Sequence, residues 1–195
     1  MSKYMGIVDW ISIINDFRNR NIKILHRSAL EALYPGKNRS LSVIIGRLER
    51  RGIIKRVAKN WYIIAPCDTW EIVAAIFPSA YLSLEWALHY HEILDQKINI
   101  ITLIWLGKTK TVKSPYYVFE LHKISKKLYF GFDDRLIAEP EKALLDMIYI
   151  RKKIIPELNF ELLDMNRLKE YMQKYPKYVR KIISSKFPSP KYKHP

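Results

Sequence analysis

A single cysteine, Cys67, stands in 195 residues. That scarcity excludes an internal disulfide framework and a zinc site built on cysteines. Glycine is scarce too. Its six copies, at 6, 36, 46, 52, 107 and 131, are scattered, so no glycine-rich phosphate loop exists. Long apolar runs are lacking: the stretch around Ile100–Leu106 is far too short to span a bilayer, so no membrane partner is expected. Asp9 and Asn15–Asp16 interrupt the N-terminal segment, which does not read as a signal peptide. These absences predict a cytoplasmic protein. Acid is the other shortage, with 19 Asp and Glu against 34 Lys and Arg, a net charge of +15 and a pI near 9.8. Such an excess favours a polyanionic partner, most often nucleic acid.

What is present suffices for folding. With 49% hydrophobic and 27% charged residues, the chain is too apolar for disorder and too polar for a membrane bundle. Its length fits one large domain or two small ones. The charge is uneven. Residues 1–66 hold 13 basic and 4 acidic residues, a net of +9; residues 67–195 hold 21 and 15, a net of +6. Beyond Glu170 no acid occurs, while Lys174, Lys177, Arg180, Lys181, Lys186, Lys191 and Lys193 do.

In the first part, Ile7, Trp10, Ile11, Ile14 and Phe17 have the spacing of one helix face. A second short helix is expected over Ser28–Leu33, stopped by Tyr34-Pro35-Gly36. Asn38 is a good N-cap for a third helix, Arg39–Arg51, with Leu41, Ile44, Ile45 and Leu48 inward and Gly52 as its stop. Ile53–Val57 and Trp61–Ile64 then flank a polar turn, the pattern of a β-hairpin, with Asn60 placed where φ > 0 is needed. Three helices followed by a hairpin is the order of a winged helix-turn-helix. An α-helix fits the major groove, and its N-terminal residues reach base edges. Here that end offers Lys37, Asn38, Arg39, Ser40 and Ser42, with Val43 as an apolar contact to a thymine methyl. Arg47, Arg50 and Arg51 on the helix, and Lys55, Arg56 and Lys59 on the wing, are better placed for phosphates.

After the short linker Pro66-Cys67-Asp68, the second part mixes helices and strands. Helices are expected over Thr69–Phe77 and from Ser83 to about Leu94. Strands are expected over Ile98–Leu106, Tyr116–Leu121 and Lys127–Phe130, with Gly107–Lys113 as a basic hairpin loop and a further short strand at Leu136–Ala138. Pro140 suits the first position of a helix running to about Lys153, with Glu139 and Glu141 at its positive end. Helices over Asp164–Tyr175 and Pro176–Lys186 follow. The fold class is therefore α+β: a winged-helix DNA-binding domain over 1–66, a mixed α/β domain with C-terminal helices over 67–187, and a basic tail over 188–195.

Two motifs in the second part stand out, Tyr81-Leu82-Ser83-Leu84-Glu85-Trp86-Ala87-Leu88-His89-Tyr90-His91 and Ile137-Ala138-Glu139-Pro140-Glu141-Lys142-Ala143-Leu144-Leu145-Asp146. In this order, behind a winged helix, they resemble the AbiEi family, the antitoxins of type IV toxin–antitoxin systems. The resemblance runs to the end of the helix after Pro140, with Asn60 where the family commonly has a wing glycine. It implies a transcriptional autorepressor that binds inverted repeats in its own promoter. It also implies an antitoxin domain opposing a nucleotidyltransferase toxin without a stable complex, with Ser83, Glu85, Glu139, Pro140, Glu141, Lys142 and Asp146 as its motif residues. Read as plain structure, Ser83 and Glu85 start a helix, and Lys142–Asp146 is an i,i+4 charge pair worth a few tenths of a kcal/mol.

Catalytic and metal chemistry find little support in the residues. His89 and His91 point about 200° apart on a helix and cannot clamp one metal. Asp133-Asp134, Glu139 and Lys142 miss the spacing of a metal-dependent nuclease, since two residues separate Glu139 from Lys142. No enzyme activity, metal or cofactor is expected. The alternatives are a nucleic-acid-processing enzyme, or a protein adaptor, that uses the winged helix for docking.

Overall fold

The computed structural model describes residues 5–34 and 38–186, with only the backbone for Asn38 and Arg39. Lys37 and the expected tail over 188–195 lie outside the described residues. The periodic apolar residues near the start form α1 (Ile7–Asn19), whose Trp10 and Ile14 are fully buried. The Asp9 carboxylate accepts the Gly6 N–H at 2.8 Å and closes the first turn. There follow β1 (Ile24–His26), α2 (Arg27–Leu33), α3 (Asn38–Arg50), β2 (Lys55–Ala58) and β3 (Trp61–Ile63). The strands form an antiparallel sheet in the order β1-β3-β2. One core joins the helices to this sheet through Trp10, Ile14, Leu25, Leu30, Leu41, Ile45, Leu48, Ile54, Tyr62 and Ile64. The β2–β3 turn is tight, and Asn60 takes φ 65°, as its place in the turn predicts.

Helix α4 (Thr69–Ile76) follows, and the Lys23 ammonium reaches its Glu71 carboxylate at 2.7 Å. The chain divides into two compact units. The first runs to Ile76 and takes in Val112–Val118; the second comprises Phe77–Thr111 and the residues from Phe119 onward. The division expected after Pro66 thus falls after α4, and a short distant segment joins the first unit.

After α4 come β4 (Ala80–Leu82), α5 (Leu84–Tyr90), β5 (Ile101–Trp105), β6 (Lys110–Lys113), β7 (Val118–Lys123), α6 (Pro140–Arg151), α7 (Met165–Met172) and α8 (Lys177–Lys186), of which Val112, Lys113 and Val118 belong to the first unit and the rest to the second. Their sheet has the order β4-β5-β7-β6, with β4 antiparallel and β7 parallel to β5. Helix α6 starts on Pro140 as the sequence predicts and is buried nearly all round, from Glu141 to Ile148. The chain is a mixed α+β protein.

Several elements differ from their sequence expectation. The basic segment before Lys113 holds strand β6 rather than a plain loop. Lys127–Phe130 is not a strand: Lys126–Leu128 makes a turn of 3-10 helix and buries Leu128. Helix α5 ends at Tyr90, short of Leu94, because Glu92 turns to φ 60°. Strands β1 and β4, three residues each, are additional to those expected.

The left-handed Asn60 generates a test. Asn60→Val should lower the urea midpoint by an amount worth about 1–2 kcal/mol, whereas Asn60→Gly should match or exceed the parent.

Candidate functional site

On α3, Leu41, Ile45 and Leu48 are buried, which turns the opposite side outward. At 100° per residue, Ser40, Val43, Arg47 and Arg50 fall within about 80° of one another on that outer side. All four are exposed, Val43 at 50%. Ser42 lies at the border with α2, where Arg27 donates to its hydroxyl at 3.1 Å. Arg51, Lys55 and Lys59 are exposed as well. The Arg27 N–H donates to the Asn60 carbonyl at 2.7 Å, which ties the β2–β3 turn to the start of α2.

Arg56 behaves differently from its expected phosphate role. Its guanidinium forks onto Glu49, at 2.9 and 2.7 Å, so α3 and β2 are clamped together and this charge is spoken for. The other acids of residues 1–66 are engaged too: Asp9 by the Gly6 N–H, Asp16 by Arg20 and Glu31 by Arg27. With every acid held locally, Arg47, Arg50, Arg51, Lys55 and Lys59 are left without a carboxylate partner among the described residues. The side chains of Asn38 and Arg39, and all of Lys37, lie outside the described residues.

The second motif group converges in the other unit. Lys142 and Asp146 sit one helical turn apart on α6, and both are fully buried. The Lys142 ammonium donates to Asp146, to the Tyr81 hydroxyl at 2.9 Å and to the Tyr175 hydroxyl at 2.7 Å. Asp146 also accepts from Tyr81 at 2.9 Å, Tyr175 at 2.6 Å and Ser83 at 2.8 Å. Every donor of the ammonium is used. Ser83 is the N-cap residue of α5, where the sequence places the helix start, but it spends its hydroxyl on Asp146 and makes no side-chain cap. The expected surface pair Lys142–Asp146 is a core ion pair instead, because α6 is enclosed on all sides. Burial pulls the Lys142 ammonium below its usual range, opposed by Asp146. Burial, reinforced by Asp146, pushes the Tyr81 and Tyr175 phenols far above theirs.

The remaining motif residues hold neighbouring elements. The Tyr171 hydroxyl donates to Glu139 at 2.6 Å, and burial with this bond pushes it up to about 12. Glu141 is buried and accepts the Asp164 N–H at 2.7 Å, at the start of α7. Glu85 takes a fork from Arg151, which also reaches Glu120 at 3.2 Å. Sequence reasoning missed Tyr81 as a partner, although it opens the first motif, and also Tyr175 and Arg151, which no local pattern marks. His89 and His91 bond different carbonyls, of Leu94 and Ala138.

No family model and no curated protein matches the chain. Among the described residues, no group of three or more His, Cys, Asp or Glu could hold a metal ion, and no helix is long and apolar enough to cross a membrane.

Two tests follow from the buried cluster. Lys142→Met strands a buried carboxylate and should cost about 3–5 kcal/mol of stability, whereas Lys142→Met with Asp146→Leu should recover most of it. Urea unfolding checks both. In the folded state Tyr81 and Tyr175 keep protons that the unfolded chain releases above pH about 10, so stability should fall as pH rises past that point, by about 2.7 kcal/mol per pH unit for the two together. Lys142 has the opposite sign, since its folded value is depressed, and its effect ends near the unfolded lysine value. Tyr81→Phe and Tyr175→Phe should therefore each reduce the alkaline slope by about 1.4 kcal/mol per pH unit.

Proposed function

We propose that the first unit is a winged helix-turn-helix that binds duplex DNA through α3. The observation that carries this reading is the outer side of α3, where exposed Ser40, Val43, Arg47 and Arg50 share one face and no acid opposes them. The element order and the β1-β3-β2 sheet support it, as does the tight turn that presents Lys59. In this reading α3 enters the major groove. Ser40 and Val43 face base edges together with the preceding end of the helix, and Arg47, Arg50, Arg51, Lys55 and Lys59 meet phosphates.

The two motifs of the second part extend the proposal. By their resemblance to the AbiEi family, the protein is a cytoplasmic autorepressor that binds an inverted repeat in its own promoter, and an antitoxin that opposes a nucleotidyltransferase toxin without a stable complex. The reading assigns it no bond-making step. The complete burial of Ser83, Lys142 and Asp146 supports that, since no substrate reaches them in this conformation. The cluster then serves to shape the antitoxin domain.

The experiment is a fluorescence-anisotropy titration of a promoter duplex against an unrelated duplex, over a range of salt. Arg47→Ala with Arg50→Ala should weaken binding to both and flatten the salt slope by about 0.9 for each phosphate no longer neutralised. Val43→Asp should lose the preference for the promoter. Unchanged binding in the arginine variant overturns the assignment of α3. Co-expression with a nucleotidyltransferase toxin of the AbiEii kind should restore growth with no co-purifying toxin; a stoichiometric complex overturns the type IV reading.

A further inference from the structure

The segment Val112–Val118 reaches the first unit from far along the chain. Its turn is closed on itself: the Ser114 N–H donates to the Tyr117 carbonyl at 2.8 Å, and the Tyr117 N–H donates to the Ser114 hydroxyl at 3.0 Å. That closure turns Pro115 and Tyr116 outward, Tyr116 with 62% of its surface exposed. The Lys55 ammonium of β2 lies 4.5 Å from the centre of the Tyr116 ring and 5.1 Å from that of Tyr117. Lys113, Ser114 and Pro115 also line an open groove of about 440 Å³, whose other walls are Glu49 of α3 and Arg56, Ala58 and Lys59 of the β2–β3 ribbon.

The charge of that groove decides what fits it. Arg56 and Glu49 neutralise each other. Lys59 and Lys113 are exposed, and among the described residues neither makes an ion pair. The groove is therefore net positive and flanked by an exposed aromatic ring, with Glu49 as its wall on α3. A rigid turn carrying a lysine and a tyrosine is suited to phosphate oxygens, because little order is lost when it binds.

We infer that the turn between β6 and β7 is a second wing, with Lys113 and Tyr116 binding phosphates of the duplex beside the segment covered by α3. This rests on the DNA-binding reading of α3, and its position beside Lys59 extends the wing already proposed. Lys55 holds the Tyr116 ring, so that its hydroxyl can donate to a phosphate while Lys113 pairs with another.

The test uses the full chain, a labelled promoter duplex and an unrelated duplex. At about 0.15 M salt, neutralising one phosphate fewer lowers affinity about fivefold. Lys113→Ala should show that drop on both duplexes alike and flatten the salt slope by about 0.9. Lys113→Glu should bind more weakly still, and Tyr116→Phe should weaken binding with the slope unchanged. Thermal unfolding should be the same in all, since both side chains are exposed. Parental binding by both Lys113 variants, with Arg47→Ala and Arg50→Ala defective, overturns the second wing and spares α3. Abolished binding in Lys113→Ala, with the arginine variant unaffected, overturns α3 and, with it, a second wing beside α3. No duplex binding by the parent overturns both. Competition by polyglutamate as strong as by unrelated duplex also overturns the inference, in favour of an acidic protein partner.

Discussion

A lysine and an aspartate one helical turn apart, both sealed from water, set the terms for the second unit. Moving two such ions out of water costs several kcal/mol each, and their mutual attraction offsets this only when every remaining donor and acceptor is met. Tyr81 at β4, Ser83 before α5 and Tyr175 between α7 and α8 meet them. The C-terminal helices are thereby hooked to the sheet and to α6 through one carboxylate. Left-handed backbone adjoins the cluster. Leu84 sits at φ 54°, a conformation that costs a branched residue about 1–2 kcal/mol. The Thr102 hydroxyl brackets it, donating to the Ser83 carbonyl and accepting the Trp86 N–H. At Gly131, φ is 73° and a Cβ would lie 3.2 Å from the Lys142 stem, so close approach to the buried lysine requires glycine there.

The two units handle charge in opposite ways. In the second, Lys142 and Asp146 are fully buried and are satisfied by each other and by hydroxyls, so they leave little field outside. In the first, each acid is held by a near neighbour, and the arginines of α3 are turned to solvent by the apolar stripe behind them. A lysine in the second unit can serve as a strut because three acceptors surround it. Arg47 and Arg50 on α3 can serve as contacts because, among the described residues, no carboxylate pairs with them. Net charge alone does not distinguish these cases; the direction of the buried stripe does.

That difference also explains what was legible in the sequence. Helix α3 was readable because its apolar residues recur at helical spacing against a basic remainder. Asn60 was readable because few other side chains tolerate its backbone, and the start of α6 because Pro140 fits only there. Strands β1 and β4 escaped notice because three residues are too short for alternation, and β4 is buried throughout. Lys142 and Asp146 look like a surface pair because i,i+4 spacing is identical on an exposed and an enclosed helix. Only the packing of α5 and α7 around α6 tells them apart. The Val112–Val118 turn carries no local sign of the unit it joins, since that choice is made by residues far away in the chain, Lys55 among them.

On the proposed reading, the interface divides its labour unevenly. Arg47, Arg50, Arg51, Lys55 and Lys59 supply charge to a phosphate backbone that is the same at every sequence, so they add affinity for all duplexes equally. Discrimination then falls to the short end of α3, where Ser40 and Val43 are the described side chains facing outward. A hydroxyl accepts either base pattern, whereas an exposed valine rewards a thymine methyl and tolerates little else polar. An interface that meets many phosphates and few bases gains promoter preference chiefly by repetition. Two copies on an inverted repeat square the small ratio that one α3 provides, while the uniform electrostatic term keeps either copy near the duplex.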